Sequence, residues 1–309
     1  MQQQEAVEVV RRYTDAVFRR ARVPMEPLGF EVDWADQPSR HKSYPGAPRL
    51  PLPVDDTDLP TVRDVYTGTG LPPTGAWSVP ALARLLRLSY GVLDRRMAVN
   101  WNQDAGKRAH FDNAVWGRGT ASGGGMYPVE VYVVAGSSAP LLPGVYHYHT
   151  GSHVLERLLV ADVGATVAAA VGATADSYLL ASIRFWKNAF KYNSFCYHVV
   201  TQDLGALLGS WDLLAPALGV PVRRLLCADP GPLDRLLGFD GDEESVFAAV
   251  PLRWAESEQQ PAGPPPEPAP EVRHRPFERS ARVIEFPTVT EVHRAAAAPA
   301  VPAPGAVAD

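Results

Sequence analysis

The sequence predicts an α+β fold, and three observations carry that assignment. Helical and strand-like patterns are interspersed without the regular strand–helix alternation of a parallel sheet. Strand-like runs follow one another between residues 129 and 160, two of them across a short polar turn. Long helical stretches lie on either side of them. In chain order, Val7, Val10, Tyr13 and Val17 recur at three- and four-residue spacing, so residues 4–20 read as an amphipathic helix. Ser78 caps a second helix, with Pro80 in its first turn, Leu82, Leu85 and Leu86 on one face and Gly91 just past its end. VEVYVVA, GVYHY and HVLERLLV are strand candidates, the last two forming a hairpin across His149-Thr150-Gly151-Ser152. A helical region is expected from about Ser177, interrupted between Tyr192 and His198 and continuing through Asp203, Leu207, Trp211 and Leu214 to Gly219. A shorter helix capped by Asp229 and stopped near Gly238 precedes a final strand, Val246 to Trp254.

Composition narrows the function classes. The 309 residues carry 29 Lys and Arg against 34 Asp and Glu, a net charge of -5, which lacks the basic footprint of a nucleic-acid binder. No basic segment leads into an apolar block at the start, and no run of about 18 apolar residues occurs, so a cytoplasmic protein without a membrane span is expected. Cys196 and Cys227 have no metal-ligand spacing and read as buried, reduced thiols. The 30 prolines gather between Pro38 and Pro80 and again from Pro261. Three segments follow: residues 1–38, an N-terminal helix and lead-in; 39–255, the main domain; and 256–309, a Pro/Ala-rich tail. Within the tail PPPEPAP and AAAAPAVPAPGAVAD read as solvated linker, while Val283, Ile284, Phe286, Val289 and Val292 mark a short ordered element.

Two stretches carry candidate chemistry. RGTASGGGMYPVE sets Ser122, Gly123, Gly124 and Gly125 just before a strand, and consecutive glycines open backbone angles closed to other residues and leave no side chain in the way of a flat ligand. An ordinary tight loop is the other reading of the same run. FWKNAFKYNSFCYH places Lys191 and Tyr192 among aromatic residues, where desolvation would lower a lysine pKa towards proton-accepting range. The plain alternative is a lysine snorkelling beside core aromatics. His147, His149 and His153 lie at two- and four-residue spacings, but no carboxylate or cysteine completes the set, and an exposed hairpin is the expectation. Asp203 and Gly205 are expected in helix packing near the site, and Trp77, Trp101, Trp116 and Trp211 as core or interface anchors.

In order and separation, SRHKSYPGAPRLPLP, ALARLLRLSYGV, ASGGGMYPVEVYVV, PGVYHYHTGSHVLERL, the Lys191-Tyr192 pair and DLGALLGSWDLLAPALGV resemble the SagB-type azoline dehydrogenases, a branch of the FMN-dependent nitroreductase superfamily. The match runs from about Ser39 to Leu252. The resemblance implies a nitroreductase-like α+β fold with a central, antiparallel-containing sheet flanked by helices, dimerising with FMN at the interface. It implies oxidation of thiazolines or oxazolines in a ribosomal precursor peptide to thiazoles or oxazoles, as in antibiotic biosynthesis. Lys191 and Tyr192 then correspond to the catalytic pair, Lys191 as general base and Tyr192 orienting the ring or relaying the proton. Ser122, Gly123 and Gly124 correspond to the flavin-side loop, with backbone N–H groups towards the isoalloxazine ring. Arg118 is read as a contact to the phosphate or ribityl chain, with a surface salt bridge as the alternative. Implied partners are a second copy or a related dehydrogenase, and a cyclodehydratase complex.

The chain departs from the family pattern in three places. TVRDVYTGTG replaces the arginine-serine motif that grips the FMN phosphate, leaving Arg63 as its remnant. Asn193 to His198 stand where arginines are common. RSARVIEFPTVTEVHRAA looks like the opening of a second dehydrogenase-like unit. Two rival readings follow: a subunit without flavin that binds the precursor peptide or the cyclodehydratase, and an NAD(P)H-dependent nitroreductase.

Overall fold

The computed structural model describes residues 2–100, 110–227, 229–255 and 270–297. Nine strands and eight helices follow one another among them: α1 Gln2–Arg19, β1 Arg49–Pro51, α2 Val62–Thr67, α3 Val79–Tyr90, β2 Val92–Asn100, β3 His110–Arg118, β4 Val129–Ala135, β5 Gly144–His149, β6 Val154–Leu159, α4 Gly164–Val171, β7 Ser177–Arg184, α5 Phe185–Tyr192, α6 Cys196–Ala217, β8 Leu225–Leu226, α7 Gly231–Leu237, β9 Glu244–Leu252 and α8 Pro287–Ala296. Seven strands form one antiparallel sheet in the order β1-β6-β5-β4-β7-β9-β8, while β2 and β3 pair only with each other.

Strand alternation divides the interior into two layers. Val129, Val131 and Val133 of β4, with Leu179, Ala181 and Ile183 of β7, face a core built with α3, α5, α6 and α8. Tyr132 and Val134 of β4, with Tyr178 and Leu180 of β7, face the opposite core beneath α4 and α7. This double burial corrects one expectation: residues 177–184 form a central strand, not the start of a helix. SYLLASIR is apolar on both faces because both are covered, and such a run has no period that tells strand from helix. The helix begins only at Phe185, and its expected interruption is a short 3-10 turn at Asn193–Phe195. The hairpin β2–β3, the helix α4 and the short β1 were also not foreseen. Trp101 lies outside the described residues, and Trp116 is exposed where an anchor was expected, whereas Trp77 and Trp211 are buried as expected. Cys196 is buried and Cys227 partly so, and both are free.

Helix α1 forms where the 3.6-residue pattern placed it, but its inward residues are Val9, Tyr13, Ala16 and Val17, with Val7 and Val10 turned outward. Its partner is α8, whose Val289 and Val292 are buried together with Phe286. The ordered element expected in the tail is therefore a helix docked on the first one. Residues 270–286 reach it by crossing the arm at 36–43: Phe277 N–H donates to the Ser43 carbonyl, and the Ser280 hydroxyl to the Asp36 carbonyl.

The arm itself is built into the sheet. Its end pairs as β1 with β6, and a row of polar side chains on β4, β5, β6 and β9 receives its front half. Glu130 of β4 binds Lys187 of α5 at 2.8 Å and lies 3.3 Å from His147 Nε2, and His147 Nδ1 lies 3.1 Å from Glu156. Glu156 accepts from Arg49 and from the Tyr44 backbone, and Lys42 bonds Tyr132 at 2.7 Å and pairs with Glu244. His147 is completely buried, so the exposed hairpin expected there is wrong. The signal was out of reach, since Glu130 and Glu156 approach it across strands. No group of three or more His, Cys, Asp or Glu among the described residues is arranged to hold a metal ion. Burial works to raise the Glu130 pKa, but the Lys187 charge and the His147 bonds outweigh it and hold the carboxyl well below its usual range.

Two outcomes follow from this packing. Lys187→Met leaves Glu130 buried without its cation, and urea unfolding should show a loss of about 3–5 kcal/mol, partly recovered in Lys187→Met/Glu130→Gln. His293 of α8 is enclosed by Phe185, Tyr197 and Phe247, with Asp242 and Arg294 the charged groups nearby. Burial lowers its pKa from 6.5 to about 4, with Asp242 opposing and Arg294 assisting. Its neutral form is the folded one, so the stability it contributes is complete above 6.5 and is lost as pH falls from there towards about 4. Unfolding measured across that window should fall less steeply in His293→Phe than in the wild type.

Candidate functional site

Lys191 and Tyr192 end α5, and the chain turns sharply at Asn193, where φ is +44°, before α6 begins at Cys196. The ψ of -137° places Asn193 outside the left-handed helical region that asparagine otherwise enters, so this is a strained turn. The turn brings both side-chain tips against the loop between β3 and β4. There Gly123–Gly125 form a single 3-10 turn, with φ of +65° at Gly124 and +68° at Gly125. A Cβ on Gly124 would collide with the Tyr192 hydroxyl and lie 2.7 Å from Lys191 Nζ. The structure thus joins the two stretches that the sequence singled out separately.

Helix α6 holds the loop from the other side. The Ser122 hydroxyl donates to Asp203 at 2.6 Å, Gly123 N–H donates to the other Asp203 oxygen at 2.7 Å, and Tyr127 N–H donates to Ser122 Oγ at 2.8 Å. Val199, one turn before Asp203, occupies the space that a Cβ on Gly123 would need. Asp203, expected in helix packing near the site, anchors the loop directly. It also takes the Gly123 N–H that the sequence reading had aimed at a ligand. Burial raises the Asp203 pKa, and the bonds from Ser122 and Gly123 oppose that rise. Nothing in the sequence linked Asp203 to Ser122, because 81 residues separate them.

Arg118, at the end of β3, makes no salt bridge among the described residues. Its guanidinium lies 4.5 Å from the Tyr90 ring and 4.3 Å from the Tyr127 ring, and Nη2 donates to the Arg40 carbonyl at 2.8 Å. Nη1 is buried with no hydrogen-bond partner among the described residues. The same Arg40 carbonyl accepts from Lys187 at 3.0 Å, so the buried polar row ends beside this arginine. His41, 3.4 Å from Arg118 Nη2, has its pKa lowered to about 4 by burial and then by the charges of Arg118 and Lys187. Arg63 stands exposed on α2, and no hydrogen bond or ring contact among the described residues joins it to Arg118 or the glycine loop.

Among the described residues the desolvated lysines are Lys187 and Lys42. Lys191 is half-buried, with its Nζ 5.2 Å from the Tyr192 ring and 5.9 Å from the ring of Trp34, a residue the sequence reading passed over. Trp34 sits in a short 3-10 turn, where Asp33 accepts from Ala35 N–H, and meets Phe190 edge-on at 5.5 Å. It lies in a stretch without periodicity, 157 residues from Lys191, and no local pattern marks it.

No protein-family model matches the chain. Its structure superposes on a putative nitroreductase from Anabaena variabilis with a TM-score of 0.65 and 24% identity, over 95% of this chain and 55% of that one. The chain has the nitroreductase-like fold. In that fold the sheet supplies the glycine loop, and the helix pair α5–α6 closes on it from both sides. In sequence, the trifolitoxin-processing protein TfxB of Rhizobium leguminosarum bv. trifolii is 28% identical over 138 residues, 41% of this chain and 37% of that protein. The chain spans little more than half the length of the first of these and matches a smaller share of the second. The E. coli microcin synthetase McbBCD complex is a weaker structural match, with a TM-score of 0.45, 16% identity, and coverage of 82% and 94%. No helix among the described residues is long and apolar enough to cross a membrane.

Gly124 and Gly125 share a left-handed conformation but differ in surroundings, since nothing lies within 4 Å of a Cβ on Gly125. Gly125→Ala should lose only the backbone cost, about 1–2 kcal/mol. Gly124→Ala should lose more and displace Lys191 and Tyr192, which thermal unfolding and a structure of the variant would register.

Proposed function

We propose that this chain is an FMN-dependent oxidoreductase that converts thiazolines or oxazolines of a ribosomal peptide into thiazoles or oxazoles. The observation that carries the reading is the convergence of Lys191 Nζ and the Tyr192 hydroxyl on Gly124, a position where an added side chain would have to push both tips aside. The resemblance to SagB-type dehydrogenases, the nitroreductase-like fold and the similarity to a trifolitoxin-processing protein support it. The residues fit the cofactor in two respects: a glycine surface open at Gly125, and an arginine with a buried, unpartnered Nη1 at Arg118. Ser122, Gly123 and Gly124 would form the bed for the ring, although the Gly123 N–H is engaged by Asp203 and the space of its missing side chain is filled by Val199. Arg118 would meet an anionic or carbonyl oxygen. Arg63 is the weakest member of the set.

Aromatising an azoline removes two electrons and two protons, and bound FMN supplies a hydride acceptor for one hydrogen and the electron pair. The chain's own residues handle the remaining proton. Lys191 Nζ is placed as the base that takes it from the ring carbon, and the Tyr192 hydroxyl beside it orients the ring or passes the proton on. The aromatic product supplies driving force, and dioxygen would be the final electron acceptor. A second copy of the chain or a related dehydrogenase would cover the exposed glycine loop, and a cyclodehydratase would supply the azoline peptide.

One observation favours a second reading, a flavin-free subunit that binds precursor peptide: Arg63 lies exposed with no described tie to the loop. An NAD(P)H-dependent nitroreductase gives no use to a base and hydroxyl paired over the loop. The absorption spectrum of the purified protein, with the flavin released by heat and identified by mass, decides between the first two. About one FMN per chain is expected, with turnover of an azoline peptide falling about 10²–10⁴-fold in Lys191→Ala. Absence of flavin even after incubation with excess FMN favours the peptide-binding subunit.

A further inference from the structure

Trp34 is the most exposed of the described tryptophans, at 54%, against 0% for Trp77, 1% for Trp211, 4% for Trp254, 6% for Trp186 and 39% for Trp116. It is nevertheless held in place. Asp33 fixes the turn that carries it, and Phe190, itself 2% exposed, supports the indole edge-on. A large apolar ring left in water forgoes the gain that burial would bring. Here that ring stands within 6 Å of the Lys191 ammonium, and Phe190 belongs to the same helix as Lys191. A rigid, half-exposed indole beside the reacting groups offers a flat apolar surface, with little ordering left to lose when a second flat group covers it.

From this geometry we infer that Trp34 is a binding platform for the substrate: the azoline-bearing segment of the peptide lays its five-membered ring, or the planar amide next to it, on the free part of the indole. The inference rests on the peptide-oxidising function proposed above and adds to it the surface that positions the ring for Lys191. It also gives the segment before the arm a role that no motif announced. Trp34 is a binding residue here and takes no part in the proton or hydride steps. Its loss should therefore appear in substrate affinity, with FMN affinity untouched.

The test is equilibrium binding of a fluorescently labelled azoline peptide to the full-length, FMN-loaded protein, followed by anisotropy, with FMN affinity measured separately. The proteins compared are wild type, Trp34→Ala, Trp34→Phe and, for an exposed indole elsewhere, Trp116→Ala. Trp34→Ala should weaken peptide binding about tenfold, with Trp34→Phe in between, because phenylalanine keeps a smaller stacking surface. FMN affinity should be the same in all four proteins. Turnover by Trp34→Ala should show a raised KM with kcat largely kept. Equal peptide affinity in Trp34→Ala and wild type overturns the platform, as does a wild type without measurable peptide affinity. A fall in FMN affinity in Trp34→Ala also overturns it and assigns the indole to the cofactor side. Trp34-dependent binding without oxidation leaves the platform standing and sinks the oxidase reading alone.

Discussion

The pairing of Lys187 with Glu130 is the contact on which the arrangement of the site depends. Two charges with almost no exposure are stable inside a protein only when each is matched and its remaining bonding capacity is filled. Glu130 spends its second oxygen on His147, and Lys187 spends a further proton on the Arg40 carbonyl. The four groups belong to two neighbouring strands, a helix and the arm. The ion pair therefore fixes where α5 sits over the sheet and where the arm crosses it. The ends of that cross-link are the Lys191-Tyr192 step one turn further along α5 and the Arg118 guanidinium that shares the Arg40 oxygen.

The loop between β3 and β4 is held by a different principle. Its glycines are required by contact as well as by backbone angle: Val199 excludes a side chain at Gly123, and Lys191 with Tyr192 exclude one at Gly124. Asp203 then ties the loop to α6 with a carboxylate that has no cation within hydrogen-bond reach. Hydrogen bonds to an ionised acceptor are stronger than neutral ones, which suits a short irregular segment that must keep one shape.

What the sequence disclosed follows from how local each signal is. The Ser78 cap, the helix from Val79 to Tyr90 and the hairpin around Gly151 were legible because each is decided within a few residues. The strand 177–184 was misread because its burial is set by layers distant in sequence. His147 was misplaced for a related reason, since the carboxylates that enclose it sit on neighbouring strands. In the candidate site, Lys191, Tyr192 and the glycine run stood out as residue types in an unusual setting. Asp203 and Trp34 did not, because an aspartate on a helix and a tryptophan in a polar turn are unremarkable until the fold brings them to the loop. The expected desolvation was assigned to Lys191, one turn away from Lys187, where it is found: neighbouring aromatics show that a core is near but not which face of the helix meets it.

The helix break at Asn193 separates two jaws that close on one loop. Lys191 and Tyr192 press on Gly124 from the end of α5, while Val199 and Asp203 hold Gly123 from the first turns of α6. Both jaws belong to one continuous stretch of chain, so their relative phase is set by the number of residues between them. Adding or removing one residue there would swing one jaw by about 100° around its helix axis relative to the other. Substitutions between Tyr192 and Val199 are therefore a matter of degree, whereas the length of this segment is fixed: the molecule can vary its sequence here but not its count.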